Sequence, residues 1–312
     1  MPSEPVSGRQ ILITGGAGFV GSHLAAALVP HNDVRVLDDF SAGDRSNLPD
    51  GVTVVEGDVR EAATVAEAVE GVDLVFHEAA MVSVPQSVEQ PVDCHELNGS
   101  ATLTLLDSAR RADARVVLAS SAAVYGDPDS VPVDEDAPPD PQSPYGFEKR
   151  LNEQYARFYD ETYGLPTVPL RYFNVYGPRG LGGEYAGVIA VFLRQCRAGE
   201  PLTVEGDGEQ TRDFVHVDDV VRANRLAATT DATGRPFNVG TGRSVSINRL
   251  AETVRDVTGA DVPIEHVSAR EGDVERSEAD LSDARDLLGY EPTVSVREGL
   301  EALCGPVSRP DT

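Results

Sequence analysis

From residue 9 to about residue 172 the chain alternates short apolar runs with amphipathic stretches, the pattern of a parallel α/β sheet. The apolar runs predict strands at 10–14, 34–38, 52–56, 74–77, 115–119 and 167–171, and the stretches between them predict helices that include 19–29, 62–69 and 101–111. Residues 125–142 are rich in Pro and Asp and read as a loop over the sheet edge. Ser143-Pro144 then opens a helix as N-cap and first helical residue, which puts Tyr145 and Lys149 in its first turns. Beyond about residue 173 the pattern is less regular, with a Gly-rich loop at 177–187, a helix near 188–197, a turn at Gly206-Asp-Gly208 and a polar tail after Gly305. The expected fold class is α/β, a doubly wound parallel sheet with a smaller C-terminal α/β lobe. Residues 1–172 are expected to bind a nucleotide and 173–312 to supply mainly a substrate lobe, from which the chain can cross back to the first domain.

The first strand runs into Thr14-Gly-Gly-Ala-Gly-Phe-Val-Gly21, so glycines at 15, 18 and 21 stand between a strand and a helix. Gly15 permits a tight turn, Gly18 allows a pyrophosphate close to the backbone, and Gly21 lets the helix pack on the strand. Asp38 and Asp39 follow at the end of the second strand, where a carboxylate binds the ribose hydroxyls of NAD rather than NADP. This predicts a Rossmann-type domain with NAD as cofactor. Asp58, past the third strand, is placed either to accept from the adenine amine or to cap a helix.

Composition narrows the partners. At 312 residues, 40% hydrophobic and 25% charged, the chain reads as a soluble globular protein. It has no apolar run of membrane-spanning length and no signal peptide, so the cytosol is the expected location. Acidic residues number 52 against 26 basic ones, a net charge of -26 that repels nucleic acid and anionic membranes and argues against both as partners. The acids are dispersed, apart from a local cluster at Asp134-Glu-Asp136, and the chain has a single lysine and no tryptophan. Adaptation to high salt explains this better than an acidic face for a basic partner. Cys94, Cys196 and Cys304 lie far apart and read as free thiols, and the histidines lack ligand spacing, so no metal is expected.

The single lysine, Lys149, follows Tyr145 by four residues, which puts both on one helix face. An ammonium near a phenol favours the phenolate, the form that can take a proton from a sugar hydroxyl. Together with Ala119-Ser-Ser-Ala-Ala-Val-Tyr-Gly126 and the glycine pattern, this pair resembles the extended short-chain dehydrogenase/reductase family, and within it the nucleotide-sugar epimerases and dehydratases. The resemblance continues through His77-Glu-Ala-Ala80, Arg171-Tyr-Phe-Asn-Val-Tyr-Gly-Pro178, Gly206-Asp-Gly-Glu-Gln-Thr-Arg-Asp-Phe214 and Arg270-Glu-Gly-Asp273, nearly the whole chain in order.

The resemblance implies that Ser121, Tyr145 and Lys149 are catalytic: Ser121 holds the sugar C4 hydroxyl, Tyr145 is the base, and Lys149 also binds the cofactor ribose. It implies cofactor contacts at Phe19, Val20, Asp39, Val59, Ala79 and Ala80, and substrate contacts at Ser83, Asn174, Val188, Arg212, Arg270, Asp273 and Ser277. The two arginines suit a diphosphate. Dimerisation through a helix pair that includes the Tyr/Lys helix is also implied. Dehydratases of the family carry Asp-Glu after the catalytic Ser/Thr, where this chain has Ala122 and Ala123, and the decarboxylases' Glu is absent too. What remains is 4-epimerisation of a UDP-sugar with NAD retained. The alternatives are a UDP-uronic acid epimerase, another NAD-dependent nucleotide-sugar oxidoreductase, or a non-catalytic NAD-binding regulator. Ser277 stands where glucose-only members carry a bulky Tyr, and Met81-Val-Ser-Val-Pro85 is closer to epimerases that accept N-acetylated sugars. UDP-GlcNAc/UDP-GalNAc are therefore expected beside UDP-Glc/UDP-Gal.

Overall fold

A computed structural model describes residues 6–180, 187–269 and 272–304 of the chain. The predicted apolar runs form β1 (Gln10–Thr14), β2 (Asp33–Asp38), β3 (Thr53–Glu56), β4 (Leu74–His77), β5 (Arg115–Ser121) and β6 (Thr167–Tyr172). The later strands are β7 (Asn174–Tyr176), β8 (Leu202–Glu205), β9 (Thr211–His216), β10 (Phe237–Val239), β11 (Ser244–Ser246) and β12 (Ile264–Val267). A seven-stranded parallel sheet has the order β10-β6-β5-β4-β1-β2-β3. Its outermost strand, β10, comes from the second half of the chain and was not among the predicted strands. The remaining strands make a small β11-β9-β7 sheet and a β12-β8 pair.

The helices are α1 (Phe19–Leu28), α2 (Ala62–Val69), α3 (Val84–Glu89), α4 (Pro91–Cys94), α5 (Ala101–Ala112), α6 (Pro144–Tyr163), α7 (Val188–Ala198), α8 (Val217–Ala227), α9 (Ile247–Thr258) and α10 (Val296–Cys304). Successive strand side chains alternate between two apolar layers, as the two-residue period of a strand requires. Leu12, Leu37 and Val75 pack with Val65 of α2, Leu105 of α5 and Ala156 of α6. Ile11, Ile13 and Phe76 face the other way, onto Leu24 of α1 and Val220 of α8. A third cluster, including Phe192, Leu202 and Leu250, holds the C-terminal elements together.

α6 begins as its sequence dictates. Ser143 Oγ accepts from Gly146 N at 3.1 Å, Pro144 occupies the first turn, and Gly164 ends the helix at φ +70°. The C-terminal ends of β1, β2, β4, β5 and β6 open on one edge of the sheet, where the nucleotide loop, Asp38, Glu78, Ser121 and Tyr172 follow one another.

Candidate active site

At the nucleotide end, Gly15 has φ +66°, and a Cβ there would lie 2.7 Å from Ala79 N. A Cβ on Gly21 would lie 2.3 Å from Gly15 O, so the start of α1 sits directly on the turn. Gly18 is the N-cap of α1 and has no side chain to satisfy the first-turn N–H groups, which leaves them to an anion. Phe19 and Val20 open that helix half-buried. Asp38 is buried; its Oδ2 accepts from Ala17 N at 2.8 Å and its Oδ1 from Phe40 N at 2.8 Å, so the carboxylate braces the loop while each oxygen keeps a free lone pair. Asp39 accepts from Ser41 Oγ at 2.6 Å. Asp58 accepts from Arg60 N and Nε, both contacts within the loop before α2, and Glu61 rather than Asp58 is the N-cap of that helix. The Val59 side chain is buried in the core under α2 and α5. Ala79 and Ala80 follow β4 beside the glycine turn, and Ala79 N lies 3.4 Å from Thr14 Oγ1. These groups fit a dinucleotide.

At the chemical end, Ser121 closes β5 next to Tyr145 of α6, near enough to favour its phenolate, and Ser121 Oγ accepts from Ala123 N at 3.1 Å. Lys149, one turn after Tyr145, is buried; its Nζ donates to Ala119 O at 2.8 Å and lies 5.7 Å from the Tyr145 ring centroid. Burial lowers the Lys149 ammonium to about 8, against the opposing pull of Glu78, Cys94 and Glu153. Burial also raises the Tyr145 phenol, opposed by the neighbouring Ser121 hydroxyl and reinforced by Cys94 and Glu78. This corrects the sequence expectation of a phenol lowered by Lys149. Spacing gave the proximity of the pair but not its burial, which raises the phenol, and the ammonium is turned onto a carbonyl.

Around the pair lies a polar shell that the sequence did not reveal. Glu78 follows β4 half-buried, accepts from Tyr172 Oη at 2.9 Å, and is raised by burial to about 7. Asn224 of α8 donates to the same Tyr172 oxygen at 2.7 Å. Below it, His77 is buried between Thr14 Oγ1 at 2.7 Å and Thr102 Oγ1 at 2.8 Å. Thr102 spends its own hydrogen on Asn98 O, so His77 donates from Nε2 and accepts at Nδ1. Burial, with Lys149 adding repulsion, lowers this imidazole to about 3 and keeps it neutral. The signal for Glu78 was a charged residue just past the end of a central strand.

The substrate-side residues are less closely gathered. Arg212 on β9 pairs with Asp273 at 2.5 Å and also donates to Thr211 O at 2.8 Å. Ser277 runs beside the same strand, with its N–H 3.1 Å from Thr211 O. Asn174 begins β7 and is exposed. Ser83 is buried and caps α3, accepting from Gln86 N at 3.1 Å, which is the role of a helix cap. Val188 begins α7 and packs on the C-terminal core. Arg270 lies outside the described residues, as does part of the predicted 177–187 loop. Among the described residues no group of His, Cys, Asp and Glu is arranged to hold a metal, and no helix is long and apolar enough to cross a membrane.

The profile of the NAD dependent epimerase/dehydratase family matches residues 11–240. The chain is 38% identical over 298 residues to a putative UDP-glucose 4-epimerase of Methanocaldococcus jannaschii, covering 94% of this chain and 96% of that protein. Its fold superposes with a TM-score of 0.91 on a UDP-N-acetylglucosamine 4-epimerase from Methanobrevibacter ruminantium in complex with UDP-N-acetylmuramic acid, at 36% identity and covering 96% and 99% of the two chains. The UDP-glucose 4-epimerase of Thermotoga maritima, solved with UDP-glucose, gives a TM-score of 0.90 at 38% identity, covering 94% and 96%. With a glycine turn built for a dinucleotide and a Ser/Tyr/Lys trio on the neighbouring strand end and helix, the chain belongs to the NAD dependent epimerase/dehydratase family, and NAD is its cofactor.

Proposed function

We propose that the chain is a UDP-sugar 4-epimerase. The observation that carries this reading is the convergence of Ser121, Tyr145 and Lys149 at one strand end, with Ala122 and Ala123 following Ser121 where elimination chemistry needs a proton donor. NAD held there would supply both the acceptor and the donor of the C4 hydride, which makes the reaction redox-neutral. Ser121 Oγ holds the C4 hydroxyl, and Tyr145, as phenolate, takes its proton. The Lys149 ammonium stabilises that phenolate, and its bond to Ala119 O fixes it against β5. Arg212 and Arg270 hold the diphosphate while the keto-sugar turns. Tyr145 then returns the proton as the opposite face of C4 is reduced. The first-turn N–H groups of α1 hold the cofactor pyrophosphate, Asp38 its adenosine ribose and Lys149 its nicotinamide ribose.

Incubation in molar KCl with a panel of UDP-hexoses, without added NAD, tests the reading. Interconversion of C4 epimers to equilibrium without NADH release is expected, and Tyr145→Phe should abolish it. Stoichiometric NADH release, or turnover of UDP-glucuronate alone, would replace this reading with the oxidoreductase or uronic acid alternative.

Three finer readings follow. The half-buried Ser277 beside Arg212's strand leaves room for an acetamido group, which supports activity on UDP-GlcNAc/UDP-GalNAc as well as UDP-Glc/UDP-Gal. Unchanged N-acetyl-sugar turnover in Ser277→Tyr would refute that. Val88 of α3, Val92 of α4 and Phe147 of α6 are exposed by 60%, 67% and 61% on neighbouring helices, an apolar surface that supports a homodimer through the Tyr/Lys helix. Sedimentation as a monomer in molar KCl would refute it. The dispersed excess of 52 acids over 26 bases supports adaptation to high salt.

A further inference from the structure

We propose that Glu78 is a positioning residue for the C4 chemistry: held by Tyr172 and Asn224, its carboxyl faces the Tyr145/Lys149 pair and sets the pH range in which that pair works. The inference rests on the epimerase reading for its substrate, but its geometry is independent of the sugar.

The carboxyl is held from one side. Asn224 is fully buried and spends one Nδ2 hydrogen on Val220 O at 2.9 Å and the other on Tyr172 Oη at 2.7 Å. With that oxygen already accepting, the Tyr172 hydroxyl proton points to Glu78 Oε1 at 2.9 Å. Three elements, α8, β6 and the end of β4, therefore fix one carboxyl group. Lys149 Nζ of α6 reaches the carbonyl oxygen of Ala119, the residue after Leu118, which pairs in register with His77 at the end of β4, and Tyr145 stands one turn earlier on α6. The remaining titratable and charged neighbours are Cys94 of α4, Glu153 one turn beyond Lys149, and His77, which stays neutral. Ser121 and Ala119 O of β5 complete the surroundings as uncharged partners.

The consequence follows from sign. A negative Glu78 favours the Lys149 ammonium and opposes the Tyr145 phenolate, so it raises the pKa of both. The acid limb of activity, where the base must lose its proton, and the alkaline limb, where the ammonium is lost, then move in the same direction. Glu78 slides the working window along the pH axis without widening it. A residue with a purely structural role changes the height of the profile and leaves its limbs in place. Burial raises the Glu78 carboxyl to about 7, so its charge changes near neutral pH.

The experiment compares pH profiles of kcat and KM for wild type, Glu78→Gln and Tyr172→Phe in high salt. It adds an ultraviolet titration of Tyr145, taken as the difference from Tyr145→Phe in each background. Glu78→Gln keeps an acceptor for Tyr172 and removes only the charge. Both kcat limbs and the Tyr145 titration should move roughly one unit toward acid, with KM little changed. Tyr172→Phe should move them less, since it raises the pKa of Glu78 without deleting it, and the double variant should match Glu78→Gln. Limbs and titration unmoved in Glu78→Gln would overturn the proposal. If wild type epimerises no UDP-hexose, the epimerase reading fails, while the Tyr145 titration still decides this one.

Discussion

Next to Ser121 and Lys149 lies a buried ion pair whose removal should be costly. Glu153, on α6 one turn past Lys149, is 3% exposed, and Arg171, on β6, is 2% exposed. Glu153 accepts from Arg171 Nε at 2.8 Å and Nη2 at 2.9 Å, and from Ser120 Oγ at 2.6 Å. Arg171 Nη1 donates to Tyr125 Oη at 2.7 Å and Glu135 O at 3.0 Å. Glu153→Met roughly keeps volume but leaves the guanidinium without its carboxylate, a change worth about 3–5 kcal/mol for a buried charge stripped of its partner. At roughly 2 °C per kcal/mol for a chain of this size, that is a fall in Tm of about 6–10 °C. Replacing both partners by Met removes the stranded charge, so the double variant should be more stable than Glu153→Met alone. Urea unfolding in constant molar KCl across the four proteins of this cycle measures the coupling. Single variants within about 1 kcal/mol of wild type, or a double variant costing the sum of the singles, would refute the view that charge compensation holds α6 to the sheet.

Other outcomes follow from the same structure. Gly15→Ala should lose retained NAD and stability together, because φ +66° and an Ala79 nitrogen 2.7 Å from the added Cβ leave no room; NAD released on denaturation measures it. Lys149→Met should cut kcat by about 100-fold or more, since the phenolate loses its cation; a kcat close to wild type would return the lysine to a structural role. Glu135 is raised by burial to about 7 from an ordinary 4.5, so the folded state holds its proton where the unfolded chain has lost it. Its contribution to stability is present below about 4.5 and is lost as pH rises to about 7, so wild type should lose stability relative to Glu135→Gln across that window and no further above it. His77 acts with opposite sign, losing stability as pH falls from 6.5 toward about 3, so only the difference between the two proteins is diagnostic. Finally, Tm should rise steeply with KCl as counterions screen a net charge of -26; a Tm indifferent to molar KCl would remove the salt reading.

Where one residue's chemistry depends on its neighbours in sequence, the chain was readable. Six strands announced themselves as apolar runs, α6 by Ser143-Pro144, and the glycine turn by its position between strand and helix. Where the chemistry depends on desolvation or on distant partners, it was not. The i, i+4 spacing brought Lys149 to Tyr145 but carried no information on burial, which reverses the expected shift of the phenol. Arg212 and Asp273 were read separately as nucleotide ligands, yet they meet as an ion pair across 61 positions. Glu78 is bonded by Tyr172, which Asn224 in turn holds, and both come from other elements. β10 is three residues long, too short for any periodicity, and only its pairing with β6 makes it a strand.

That last strand bears on how the molecule is assembled. β6 is complete at Tyr172, but the strand that covers its outer edge is not synthesised until Phe237–Val239, after β7, β8, β9 and α8. During synthesis the edge of β6, with its row of unpaired N–H and C=O groups, stays open for the length of that excursion. A chain cut at residue 172 would therefore carry a sticky sheet edge and lack the layer that α8 lays over Ile11 and Phe76. The halves of the sequence are thus unequal partners in folding: the first half is laid down first but is closed last, by the half that follows it.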